Sequence, residues 1–119
     1  METGNIYDNL KKLEIAFDGG LSLGLGNYVI CSKKEVLSHI AAIKCSIPDE
    51  VMQAEPQIIH SGENSVFSHI ERLIMIVASG FCLFDSFVVL PRNKMCEIID
   101  NIYADMPVNV QIAKQILKS

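Results

Sequence analysis

The stretch IYDNLKKLEIAFDGG at residues 6–20 returns in altered form as VFSHIERLIMIVASG at residues 66–80. Further along, IPDEVMQA at residues 47–54 is matched by MPVNVQIA at residues 106–113. The offset is 60 residues before the loop that follows Gly20 and Gly80, and 59 residues after it. A repeat in only two copies predicts a duplicated module that packs as a pseudo-dimer rather than a solenoid. Residues related by this offset are called counterparts below.

The length fits one compact domain built from two small units. The chain has 119 residues, and the repeat divides it into a first unit at 1–60 and a second at 61–119. A unit of about 60 residues buries only a marginal core by itself. We therefore expect the two units to share one core.

Composition and charge exclude some classes of function. The formal net charge is −4, which disfavours a general nucleic-acid binder because such proteins present a basic face. The most apolar stretch, residues 73–84, is shorter than the roughly 20 residues that span a bilayer. No secretory signal pattern opens the chain. We expect a cytoplasmic protein with neither nucleic-acid nor membrane partners.

Hydrophobic spacing and turn residues predict helix–loop–strand–helix–helix in each unit. In the first unit this gives a helix over residues 5–18, a strand over 27–31, a helix opened by a capping box at Ser32 and Glu35, and a third helix started by Pro48. Glycine at residues 19 and 20 is expected to end the first helix by adopting the left-handed conformation. In the second unit Pro107 is expected to start the last helix.

These elements predict a mostly helical α+β fold. A lone strand in each unit would leave backbone groups unpaired. The economical arrangement pairs the two strands as an antiparallel two-stranded ribbon on a pseudo-twofold axis, covered by helices. If the outer edges of the ribbon stay open, they favour pairing with another copy of the chain, so a homo-oligomer is expected.

No motif for chemistry can be assembled, so we expect no catalytic, cofactor-binding or metal-ligating residues and no enzyme. The glycine-rich segment at residues 19–26 lies between a helix and a strand, the wrong order for a phosphate loop. His39, His60 and His69 are isolated, and His69 is expected on the surface of its helix. The four cysteines lack zinc spacing and are expected to be reduced, buried thiols. Cys82 is the best candidate for an exposed thiol, with nothing basic beside it.

An apolar surplus in the second unit is the candidate functional feature. Such residues either fill the interface between the units or form a patch that docks a partner or another copy. The candidate surface consists of Ile74, Met75, Phe81, Phe84 and Phe87.

Residues 23–54 resemble a bacterial helix–strand–helix module. The matching positions are Gly26, Val29, Ile30, Ser32, Glu35, Leu37, Ile40, Pro48, Glu50 and Ala54. The module is similar to the head of uncharacterised DivIVA-like and ATP-synthase-subunit-like coiled-coil proteins. The chain departs from it at Asn27, where a basic residue is expected, and in carrying a second copy instead of a coiled coil. The resemblance implies no active site.

The sequence thus favours a non-enzymatic protein–protein interaction or self-assembly module in a bacterial cytoplasm. The alternative is a small-ligand-binding regulatory domain that uses the cleft between the units, lined by Tyr28, Phe81 and Phe84.

Overall fold

The computed structural model describes residues 5–22 and 27–118, which form five α-helices and one antiparallel sheet. Helices account for most of these residues, so the predicted mostly helical α+β class is confirmed. Within the described residues, no helix has both the length and the apolar character needed to cross a bilayer. In chain order the elements are α1 (Ile6–Asp18), β1 (Leu21–Ser22), β2 (Tyr28–Ser32), α2 (Lys33–Cys45), α3 (Asp49–His60), α4 (Val66–Ser79), β3 (Phe81–Leu83), β4 (Phe87–Pro91) and α5 (Arg92–Lys118).

The starts of three helices follow from local side-chain caps. The side chains of Asn5, Ser32 and Ser65 each accept a hydrogen bond from the backbone N–H three residues further on. Each bond satisfies one of the N–H groups that the first turn of a helix leaves without a partner. Of the two hydrogen bonds in the capping box predicted at Ser32, the structure shows the one from the Glu35 N–H to the Ser32 hydroxyl.

The sheet has four strands, so the prediction of a two-stranded ribbon is wrong. The strand order is β1-β2-β4-β3, and every neighbouring pair is antiparallel. The segment that follows the first helix of each unit, predicted as a loop, folds back as a short strand on the next one. These two short strands pair the outer edges that a two-stranded ribbon would leave open.

A single helix, α5, runs through the position where a break was predicted. Pro107 lies inside α5 and does not start a new helix, whereas the first unit breaks between Cys45 and Asp49. Proline lacks the N–H that would bond the carbonyl of Tyr103. Contacts on both sides of Pro107 offset that loss: Asp105 is bonded to α4, and Asn109 is bonded to the segment before α4.

The centre of the sheet is symmetric about one pair of counterparts. Ile30 in β2 lies opposite Val89 in β4, and the ladder extends equally on both sides of this pair. It is continued at its two ends by matching backbone bonds, from Lys33 N to Ser86 O at 3.0 Å and from Arg92 N to Asn27 O at 2.8 Å. The β2–β4 ladder is therefore symmetric about this pair.

Alternating side chains of β2 and β4 face the helices and belong to the core. Val29 and Cys31 in β2, and Val88 and Leu90 in β4, are buried, as the two-residue period of a strand requires. They pack with buried residues from all five helices into one hydrophobic cluster. The two halves therefore share a single core.

Further contacts between the halves also occur at counterpart positions. The ammonium of Lys44 on α2 lies 5.2 Å from the ring centre of Phe67 on α4. Their counterparts are Tyr103 on α5 and Tyr7 on α1, whose rings stack with centres 6.0 Å apart. The same two positions are therefore in contact twice, once as a cation–π pair and once as a pair of stacked rings.

Glycine ends α1 and α4 for a reason other than the predicted one. None of Gly19, Gly20 and Gly80 has a positive φ, so the expected left-handed cap is wrong. Instead, a Cβ at Gly20 would overlap the Val29 side chain, and a Cβ at Gly80 would lie 2.6 Å from the Val88 side chain. Glycine is required because the end of each helix passes directly against the neighbouring strand.

Candidate functional site

One face of the sheet is apolar and uncovered by the helices. Along β2 and β4, residues that alternate with the buried set point to the opposite side, and β3 extends this side. We call it the open sheet face, and it consists of Tyr28, Ile30, Phe81, Leu83, Phe87 and Val89. Its three aromatic side chains are exposed, and its three aliphatic ones are half-buried.

Strand register arranges these side chains in rows across the sheet. Phe81, Val89 and Ile30 lie directly opposite one another in β3, β4 and β2, and so do Leu83 and Phe87 in β3 and β4. Directly opposed residues in a sheet are close enough for their side chains to contact. The open sheet face is therefore a continuous apolar surface, and contiguous apolar surfaces of this kind mark interaction sites.

The hairpin that joins β3 to β4 turns through strained backbone. Phe84 has a φ of 53° and Asp85 a φ of 60°, and the Ser86 N–H bonds the Leu83 carbonyl at 3.2 Å. Two positive φ values in succession are typical of a type I′ turn, which usually uses Asn and Gly. Phenylalanine rarely adopts this conformation, and here its side chain is 90% exposed. Strained backbone that presents an exposed aromatic residue is typical of functional sites.

A groove of about 470 Å³ lies at one end of the open sheet face. The end of α1, the start of α2 and the β3–β4 hairpin form its walls, so both halves of the chain contribute. Its lining includes Ala16, Gly19, Gly20, Glu35, Phe84 and Phe87. The volume is within the usual range of small-molecule pockets.

The predicted apolar surface is divided between two places. Phe81 and Phe87 belong to the open sheet face, and Phe84 lies at the adjacent hairpin turn. Met75 is exposed on α4, whereas Ile74 is half-buried and packs against the core. The sequence did not identify Tyr28, Ile30, Leu83 and Val89 as parts of this surface. Leu83 lies in β3, which was not predicted, and the other three lie in predicted strands whose uncovered side the sequence does not reveal.

The predicted cleft between the units matches the groove only in part. Of Tyr28, Phe81 and Phe84, only Phe84 belongs to its lining. Tyr28 and Phe81 lie on the open sheet face instead. Glu35, on the first turn of α2, contributes a carboxylate to the groove that the sequence did not single out for binding.

A polar pair that includes a buried histidine joins α4 to α5. The His69 Nε2 lies 2.7 Å from the Asp105 Oδ2, and the His69 side chain is 7% exposed, so its predicted surface position is wrong. The counterparts of this pair are Asn9 and Ser46, whose side chains are also hydrogen-bonded, joining α1 to the end of α2. The same position thus holds an ionisable pair in one half and a neutral pair in the other. His69 is therefore a buried structural residue of the helix packing.

Replacing His69 and Asp105 by the residues of the other pair, Asn and Ser, tests whether the two pairs have the same structural role. We expect His69→Asn and Asp105→Ser each to lower the free energy of unfolding by about 1–3 kcal/mol, because each removes one partner of the hydrogen bond that joins α4 to α5. The double variant recreates the Asn9–Ser46 pair and should lose less than the sum of the single losses, with a coupling of about 0.5–3 kcal/mol. Urea unfolding at constant pH measures all three. Strictly additive losses would contradict the equivalence.

The cysteines differ from the prediction of buried thiols. Cys31 is buried, Cys96 is half-buried, and Cys45 and Cys82 are exposed; all four are free. Burial, followed by the negative charge of Glu35, raises the pKa of the Cys31 thiol. The Cys82 Sγ lies 3.6 Å from the Nζ of Lys33, which corrects the expectation that nothing basic stands beside it. Among the described residues, no group of three or more acidic, histidine or cysteine side chains is arranged to hold a metal.

Comparison with known proteins gives no relative for this fold. No protein-family model matches the chain, and no curated protein or solved structure is significantly similar to it. The resemblance to the coiled-coil head module therefore stays a prediction.

Proposed function

We propose that this chain is a non-enzymatic interaction module that self-associates through its open sheet face. One observation carries the proposal: the sheet is covered by helices on one side, while the other side carries exposed Tyr28, Phe81 and Phe87 in the described structure. Water contact with an apolar surface of this kind is unfavourable, and burial against a partner removes it.

A second copy of the chain is the partner that the symmetry favours. The centre of the symmetric ladder lies between Ile30 and Val89, and the open sheet face extends to both sides of it. Closed dimers use an isologous contact, in which the same patch of both copies meets about a twofold axis. Two such faces would stack like the sheets of a sandwich, about 10 Å apart.

We further propose that the two halves arose by tandem duplication and that the protein acts in a bacterial cytoplasm. The duplication is supported by the repeated sequence and by the counterpart contacts, such as Asn9–Ser46 and His69–Asp105. The four free cysteines support a reducing compartment, because secreted proteins of this size tend to form disulfides.

Sedimentation velocity over a range of concentrations tests self-association. We expect reversible dimers of the wild type, and we expect Phe81→Ser and Phe87→Ser each to weaken the dimer about tenfold or more, since each removes a large apolar side chain from the interface. Met75→Ser and Ile15→Ser are matched controls, because both residues are exposed apolar side chains on helices. They should leave the dissociation constant unchanged.

Two results would overturn the proposal. One is a wild-type protein that stays monomeric at the highest concentration that dissolves. The other is an equal effect of Phe81→Ser and Met75→Ser on association, which would mean that exposed apolar area in general, rather than the open sheet face, drives it.

A further inference from the structure

The groove beside the hairpin turn shares Phe87 with the open sheet face and has two groups that this face lacks. They are the ring of Phe84 and a carboxylate, that of Glu35. Among the described residues, no hydrogen bond or ion pair involves that carboxylate. The same lining contains the backbone of Gly19 and Gly20, which carries no side chains.

The second half of the chain differs at the positions that shape this groove. The counterparts of Ala16 and Gly19 are Ile76 and Ser79, and the counterpart of Glu35 is Lys94. Larger side chains and the opposite charge therefore stand where the first half is small and acidic. The position related to Glu35 thus carries the opposite charge, and those related to Ala16 and Gly19 carry larger side chains.

From this charge and shape we infer that the groove binds an extended apolar peptide segment carrying an arginine or lysine. The cation of the peptide would pair with the Glu35 carboxylate and lie against the aromatic rings of Phe84 and Phe87, since rings of this kind attract cations. Apolar side chains of the peptide would fill the space over Ala16 and the glycines. A volume of about 470 Å³ holds a few side chains, consistent with a short segment.

The hairpin turn supports the same conclusion. The backbone of Phe84 lies in the left-handed region, and its side chain is 90% exposed, so the ring is accessible to a ligand. A backbone that is fixed before binding loses less conformational entropy on binding. The turn therefore presents an exposed aromatic ring at the groove.

Fluorescence anisotropy with three labelled hexapeptides tests the inference. The probes alternate leucine with arginine, with glutamine or with glutamate. We expect the arginine peptide to bind about tenfold more tightly than the glutamine peptide, with the glutamate peptide weakest, and we expect this preference to fall as salt is added. The measurement is made with the full chain at concentrations where its oligomeric state does not change.

Three variants and one matched control locate the site. Glu35→Gln should abolish the preference for arginine over glutamine, whereas Glu50→Gln removes an exposed carboxylate on α3 and should preserve it. Ala16→Ile and Gly19→Ser introduce the side chains of the second half and should each weaken binding of the arginine peptide about tenfold. Thermal unfolding shows whether each variant folds. If Ala16→Ile and Gly19→Ser do not fold, Glu35→Gln still tests the location of the site, because a substitution at an exposed position has little effect on stability.

Several outcomes would overturn the inference. Equal affinity for the arginine and glutamine peptides is one, and equal effects of Glu35→Gln and Glu50→Gln is another. A third is a wild type that binds none of the peptides together with an Ala16→Ile variant that no longer self-associates. The groove would then be occupied by a second copy of the chain. Because Phe81→Ser tests the open sheet face alone, failure of either proposal leaves the other measurable.

Discussion

Gly20→Ala is expected to destabilise the fold by about 2–3 kcal/mol, the cost typical of forcing extra atoms into a packed site. The new Cβ would overlap the Val29 side chain, lie 2.9 Å from the Cys31 Sγ and lie 3.1 Å from the Ile30 carbonyl oxygen. Two of these neighbours belong to the core, and the third is backbone, so none can move freely. Gly80→Ala should act in the same direction, because its Cβ would lie 2.6 Å from Val88 and 3.2 Å from the Val89 carbonyl oxygen.

Gly19→Ala is the matched control for this prediction. Its Cβ would lie 3.4 Å from the nearest atom outside its neighbours, the Ile15 carbonyl oxygen, and its φ of −83° suits alanine. We expect it to be neutral or stabilising by up to about 1 kcal/mol. Chemical unfolding compares the variants, and Gly20→Ala should cost less in a Val29→Ala background, where the overlapping methyl group is absent. Equal effects of Gly19→Ala and Gly20→Ala would contradict the close-approach explanation.

Asn109→Leu is expected to cost about 2–4 kcal/mol, because it leaves two backbone groups without their partner. The Asn109 side chain is fully buried; its Oδ1 accepts from the Val66 N–H at 3.0 Å, and its Nδ2 donates to the Asn64 carbonyl at 2.9 Å. Val66 is the first residue of α4, where an N–H lacks an intrahelical acceptor. Asn109 thereby fixes the start of α4 to α5.

Two further variants make the Asn109 prediction specific. Gln111→Leu places the same residue at an exposed position of α5 and should change stability by less than about 0.5 kcal/mol. Asn109→Asp retains the acceptor but loses the donor, so it should remain strongly destabilising at neutral pH because it buries a charge. Urea unfolding measures all three; an Asn109→Leu variant as stable as Gln111→Leu would show that the two bonds contribute nothing.

Most helix starts were predictable because their signals are local, whereas Pro107 indicated a start that lies inside α5. Capping residues such as Ser32 and Ser65 precede regular apolar stripes, and the structure begins α2 and α4 directly after them. The small strands were missed because they are two and three residues long, and because the turn at Phe84 and Asp85 lacks the usual Asn-Gly signal. The backbone of this turn is held by the pairing of β3 with β4 rather than by the conformational preferences of Phe84 and Asp85.

The site was predicted less well than the helices, for a related reason. Phe81, Phe84 and Phe87 were identified because they give the second unit more large apolar residues than the first unit has. The role of Glu35 depends on the hairpin lying opposite α2, which only the tertiary structure reveals. Likewise, His69 and Asp105 are 36 positions apart in the chain, so their contact was not visible in the sequence. The counterpart of His69 is Asn9, which indicated only that this position is polar in both halves.

The position of the central ladder in the chain also has a consequence for folding kinetics. The central ladder joins Ile30 to Val89 across 59 residues, whereas both hairpins and the helix pairs within each half connect nearby segments. Closing a long loop costs entropy before its contacts stabilise the chain, so local elements form sooner than non-local strand pairs. We therefore expect the pairing of β2 with β4 to form late in folding. Cleavage of the chain at Gly62, in the turn between α3 and α4, is expected to make that pairing depend on protein concentration.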